Sequence, residues 1–314
     1  MMNKKILTYS LIGLLAGGAA IVVPLTRNAK VLNSPGTQPA IADTMPGSHH
    51  GHPMSEMNMP KDDHGMLGND MSNMPGHNMS GMKESAQVKL TAPSQIAPNQ
   101  SVTFMVNVQD SKGKAIAQFD TFQEKLMHLI VVSNDLQVFQ HLHPTYKGNG
   151  RFEVETKLPK AGNYALFADY KPAGKKEEVA VLQTSVPGTP TATPAISLNT
   201  AKTIDATKVN LKLSEPTPKA GQEVTLTFDL NDATSNQPIQ DLKPYLGEQG
   251  HLVILKQSSP LTRADYIHAH AMRGTPTGKV EFMTAFPKPG KYKLWGQFNR
   301  NGKIVIADFW VNVS

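Results

Sequence analysis

Histidine is the residue type this sequence spaces most regularly, and the spacing suits metal binding. The chain has eleven histidines. His128 opens an apolar run ending at Ser133, and His141 and His143 follow as His-x-His with Pro144 behind them. Roughly 125 residues further on, His251 opens a second apolar run, and His268 and His270 form a second His-x-His. The other five, His49, His50, His52, His64 and His77, lie between Met45 and Met82 among nine methionines that include Met54 and Met79. On a strand, residues i and i+2 share a face, so His141 and His143 project together, as do His268 and His270. A tight hairpin between Ser133 and Val138 sets His128 opposite His143. Opposed Cβ atoms lie roughly 4.5–5.5 Å apart, close enough for imidazoles to share an ion.

Three neutral imidazoles fit Cu(II), Zn(II) or Ni(II), with a fourth position left to water, a substrate or another side chain. In the second copy a longer turn around Ser258, Ser259 and Pro260 brings His251 opposite His268 or His270. Met272, two residues past His270, falls on the same face as a soft axial thioether, where the first copy has Thr145. The expectation is one three-histidine site per repeat, with unequal copper preference. The plain alternative is that His128 and His251 pack inside their own domains and bond backbone at the turn. Asp169 aligns with Gln297 in the repeat, so it does not read as a duplicated ligand.

The elements that must position these residues are strands. Short alternating runs separated by turn residues recur about seven times in roughly 100 residues, the pattern of an immunoglobulin-like antiparallel sandwich. The pattern is duplicated: Pro159 through Tyr164 matches Pro287 through Tyr292, and Gly174 matches Gly302. The 314-residue chain therefore divides into two tandem all-β sandwiches at 87–186 and 209–314, joined by a Pro/Thr-rich linker at 187–208. Tyr164, Tyr292, Trp295 and Trp310 read as core or interface aromatics.

Residues 1–27 read as an export signal or an uncleaved membrane anchor, with Lys4 and Lys5 ahead of an apolar stretch from Ile6 to Leu25. Any membrane contact is expected through that segment alone, and the working end is extracytoplasmic, in the periplasm or at the cell surface. Residues 28–86 read as a disordered tether, poor in the apolar surface that folding needs. Its thioethers suit Cu(I) and its imidazoles either oxidation state.

Composition narrows the classes further. The chain has no cysteine, which removes disulfides, thiolate zinc sites and blue-copper centres. The net charge of +6 comes from scattered lysines without a basic run or an aromatic platform, so nucleic acid is not an expected partner. No phosphate loop, Ser-His-Asp order or paired-carboxylate spacing is visible.

His141 through Pro144 after Val138, Phe139 and Gln140, and Pro244 through Gly247 followed by Gly250 through Val253, resemble bacterial exported β-sandwich domains described as heavy-metal-associated or YtkA-like secreted proteins. The Met/His segment resembles those of copper-resistance proteins. The resemblance implies an exported domain with His-x-His-Pro strands; the second copy has Ala271 in place of the proline. The reading is an extracytoplasmic metal-binding protein for copper buffering, tolerance or delivery, with zinc as the alternative ion and copper-handling or envelope proteins as partners. The rival is a metal-independent cell-envelope interaction module. A zinc- or copper-dependent enzyme is not expected, because no general base accompanies both trios.

Overall fold

Apolar and polar residues alternate along β2 (Ser101–Asp110) and β6 (Arg151–Lys157), and both become antiparallel strands with one face buried. The computed structural model describes residues 86–314. The export or anchor segment at 1–27 lies outside the described residues. So does the tether with His49, His50, His52, Met54, His64, His77 and Met79, apart from Ala86, which opens β1 (Ala86–Thr91). Among the described residues no helix is long and apolar enough to cross a membrane.

The first sandwich adds β3 (Met127–Ser133), β4 (Phe139–Leu142), β5 (Thr145–Tyr146), β7 (Gly162–Tyr170) and β8 (Glu178–Val186). Its two sheets run β1-β2-β6-β5 and β4-β3-β7-β8. The second sandwich begins with β9 (Ala201–Ile204), β10 (Thr207–Leu213) and β11 (Glu223–Asp232). It continues with β12 (Leu242–Lys243), β13 (His251–Lys256), β14 (Tyr266–His270), β15 (Lys279–Ala285), β16 (Gly290–Arg300) and β17 (Lys303–Val313). One sheet runs β9-β10-β11-β15; the other runs β12-β16-β13-β14, with β17 on β16. The described residues form two tandem all-β, immunoglobulin-like sandwiches.

The linker is shorter than the sequence implies. Residues 201–208 are not a connection: β9 pairs with β10 across a tight turn at Asp205 and Ala206, with Ile204 opposite Thr207. Asp205 takes the positive φ of 49° that this turn needs. A tyrosine corner recurs in each repeat: Tyr164 donates to the Lys160 carbonyl at 2.8 Å, and Tyr292 to the Lys288 carbonyl at 2.7 Å.

The sandwiches do not hang separately on their linker. Both fall in one compact unit, and a third apolar core joins them. Along β3, Met127, Leu129 and Val131 face the first sandwich's own core, while Ile130 and Val132 enter the shared one. Along β13, Leu252 and Ile254 face inward, and Val253 and Leu255 join the shared core. Phe139 stacks on Trp295 with ring centroids 4.7 Å apart, and Phe167 stacks on Tyr266 at 4.9 Å. The two contacts are related by an approximate two-fold, since Phe139 and Tyr266 occupy equivalent strands, as do Phe167 and Trp295.

Candidate metal centre

On β3 and β13 the parity that sends Ile130 and Val253 into the shared core sends His128 and His251 there too. β3 and β4 pair Leu129 with Leu142, so His128 sits across from His143, just beyond the end of β4. β13 and β14 pair His251 with His270 directly. The six histidines therefore line one side of the interface. The two trios do not lie apart: the face of each sheet that carries one is the face packed against the other sandwich. Rings of His128 and His268 are 5.7 Å apart, His141 and His268 5.8 Å, His141 and His251 6.0 Å, and His128 and His251 6.4 Å. Those spacings match the 5.2 Å between His128 and His141 and the 5.5 Å between His251 and His268 inside each trio.

Hydrogen bonds orient the rings. His128 Nε2 donates to the Phe122 carbonyl at 3.3 Å, which leaves Nδ1 bare and facing His141 Nε2 at 3.0 Å. His141 Nδ1 in turn donates to Gln297 Oε1, from the other sandwich, at 3.0 Å. The backbone bond expected of a packed histidine is thus present, and it orients the ring toward the trio. The second copy repeats the facing pair but not the backbone bond. His251 Nδ1 is 3.3 Å from His268 Nε2, and His268 Nδ1 is 3.2 Å from Asp169 Oδ2 of the first sandwich, while His251 Nε2 is buried near the Tyr245 and Leu246 carbonyls without a hydrogen bond.

With Gln297 presenting Oε1, the chain of contacts through His128 and His141 has three links and two imidazole protons. The link left over is the one between the facing nitrogens, where two lone pairs meet. A cation placed there makes it favourable. A proton is disfavoured, because burial and neighbouring histidines push His128 down to about 2 and His141 well below its ordinary value. A metal ion is suited: ligand atoms about 2.0–2.1 Å from a tetrahedral ion stand roughly 3.3 Å apart. The donor atoms of His128, His141 and His143 all lie within 4.8 Å of one another. His143 and His270, half-buried, form the rim.

Asp169 and Gln297, set aside in the sequence because the aligned pair is not a duplicated ligand, both reach the centre. Asp169 pairs with His128 across β3 and β7, and Gln297 with His251 across β13 and β16. Both are buried, and each reaches a histidine of the opposite sandwich. Burial pushes Asp169 up to about 7, partly offset by the Tyr266 hydroxyl, which donates to it at 3.3 Å. Asp169 Oδ1, Gln297 Nε2, His143 Nε2 and His251 Nε2 are buried without a hydrogen-bond partner, so the centre has polar atoms free to meet a ligand or water.

Met272 does not keep the face assumed for it. After His270 the strand leaves the interface sheet: Ala271 bridges Phe282 of β15, and Met272 N–H donates to the Glu281 carbonyl at 2.7 Å. Thr145 behaves likewise, since β5 pairs with β6 rather than β3. Counting by twos fails where a strand changes sheets.

Residues 82–186 and 202–314 each match the same domain of unknown function (DUF8832). No curated protein matches. Among solved structures, the adhesin FdeC of Escherichia coli is 18% identical at a TM-score of 0.24, over 74% of this chain and 65% of that one. The adhesin InvE of Yersinia pseudotuberculosis is 12% identical at 0.24, over 73% and 60%. Invasin, a bacterial integrin-binding protein, is 13% identical at 0.22, over 72% and 40%. This chain spans less than two thirds of each of those three, and nothing about binding transfers at such scores.

Proposed function

We propose that this chain, which belongs to the DUF8832 family of domains of unknown function, is an extracytoplasmic copper-binding protein that buffers or delivers the ion. The observation that carries the reading is the gathering of the His128, His141 and His143 donor atoms within 4.8 Å, with two bare nitrogens facing at 3.0 Å. His128 Nδ1 and His141 Nε2 would hold the ion, and His143 at the rim would receive it. The Met/His segment between Met45 and Met82 would capture copper and pass it inward, and the apolar stretch from Ile6 to Leu25 would direct export. Copper is the cargo. Zinc is the competing ion for a site made of imidazole alone.

The test is copper and zinc titration of the purified full chain, followed by metal analysis. His141→Ala with His143→Ala should lower copper uptake by one ion per chain, and deletion of 45–82 should lower it further. Uptake unchanged by both changes would leave the metal-independent envelope module as the reading.

A further inference from the structure

We infer that the two trios act as a single two-ion centre spanning the sandwich interface, which takes a pair of monovalent copper ions. This deepens the metal-binding reading and rests on it.

Neither half is complete without the other sandwich. His141 is oriented by Gln297 and His268 by Asp169, each across the interface. Both halves present the same motif, an Nδ1 facing an Nε2, at 3.0 Å and 3.3 Å. One ion held by four rings would need donors from both sandwiches drawn together. Among the described residues, the group whose donors gather within 4.8 Å is His128, His141 and His143, all from the first sandwich. Two ions, one between each facing pair, fit the arrangement better. The second falls between His251 and His268, whose rings stand 5.7–6.4 Å from those of His128 and His141.

Charge selects the ion. Asp169 is the carboxylate in contact with the rings, and its Oδ1 has no hydrogen-bond partner. Counting the ions and the one carboxylate in contact with the rings, two monovalent ions leave a single excess positive charge, with Lys125, Arg263 and Glu248 acting on the centre from farther out. Two divalent ions leave three, and each uncompensated buried charge is costly. The ions also repel across the interface, so the second binds more weakly than the first by at least about tenfold.

The test uses the full chain under anaerobic conditions, titrated with Cu(I) against a chromophoric Cu(I) chelator. The comparison variant carries His128→Gln, His141→Gln, His251→Gln and His268→Gln. Because the N-terminal segment is common to both, the difference in capacity belongs to the centre. Two ions per chain are expected. Whichever pair accounts for the weaker step should bind at least about tenfold tighter once the opposite pair is replaced, because the repelling ion is gone. A difference of one ion overturns the proposal, as does an affinity that ignores the opposite pair. No difference at all overturns the metal-binding reading itself. Should the fourfold variant fail to fold, copper-edge anomalous scattering from crystals of the unaltered chain counts the ions directly. Two peaks between the facing pairs support the centre, and a single peak overturns it.

Discussion

His268 and Asp169 come from different sandwiches, yet Nδ1 of one meets Oδ2 of the other at 3.2 Å, both side chains buried. The equivalent pair, His141 and Gln297, meets at 3.0 Å with a neutral amide in place of the carboxylate. The interface is therefore two-fold in shape and asymmetric in charge, and that asymmetry can be tested from either side.

Removing the charge should weaken cation binding. Asp169→Asn keeps an acceptor for His268 and should lower copper affinity about tenfold, measured by chelator competition. The same change alters metal-free stability with a definite sign. Asp169 rises from 3.8 to about 7 on folding, so its favourable contribution is full below pH 3.8 and is lost as pH passes 7. The advantage of Asp169→Asn in urea midpoint should therefore be larger at pH 8 than at pH 5.

Adding the missing charge should do the reverse. Gln297→Glu places a second carboxylate beside His141, which should raise cation affinity about tenfold and improve the standing of divalent ions relative to Cu(I). Without metal the variant should be less stable than the parent at pH 8, because the added carboxylate is buried.

Acid should loosen the metal-free protein before it protonates the centre. Burial lowers His143 and His251 from 6.5 to about 4, so between those values the unfolded chain binds more protons than the folded one. Stability is full above 6.5 and falls as pH drops toward 4. Asp169 opposes this with one proton over much of the same window and is outnumbered. Urea midpoints followed by tryptophan fluorescence should drop steadily from pH 7 to pH 4.5.

A charge in the shared core should undock the sandwiches. Ile130 is fully buried there, and Ile130→Asp should cost more than about 4 kcal/mol. Thermal unfolding should split into two transitions, where the parent should show one, and the facing histidines should lose metal together.

The sandwiches, their duplication and the hairpin that sets His128 against His143 are legible in the sequence, because alternation and turn residues act locally. The docking of the two sandwiches is not. Its trace is the unbroken apolar run of β3 and β13, buried on both faces, beside the alternating β2 and β11. Read as merely apolar, those strands suggest two independent sites; read as covered on both sides, they require something to cover them. Asp169 escapes for a related reason: comparison with Gln297 asks whether a residue is duplicated, whereas its role depends on what it meets across the interface. Met272 fails because periodicity carries no mark of a strand changing sheets.

A lone repeat cut from this chain would present Ile130 and Phe167, or Val253 and Trp295, as an uncovered adhesive wall. The approximate two-fold supplies that wall with a ready mate, a second copy of itself. Such a fragment would be expected to come off a sizing column as a symmetric homodimer, with its three imidazoles meeting three identical ones.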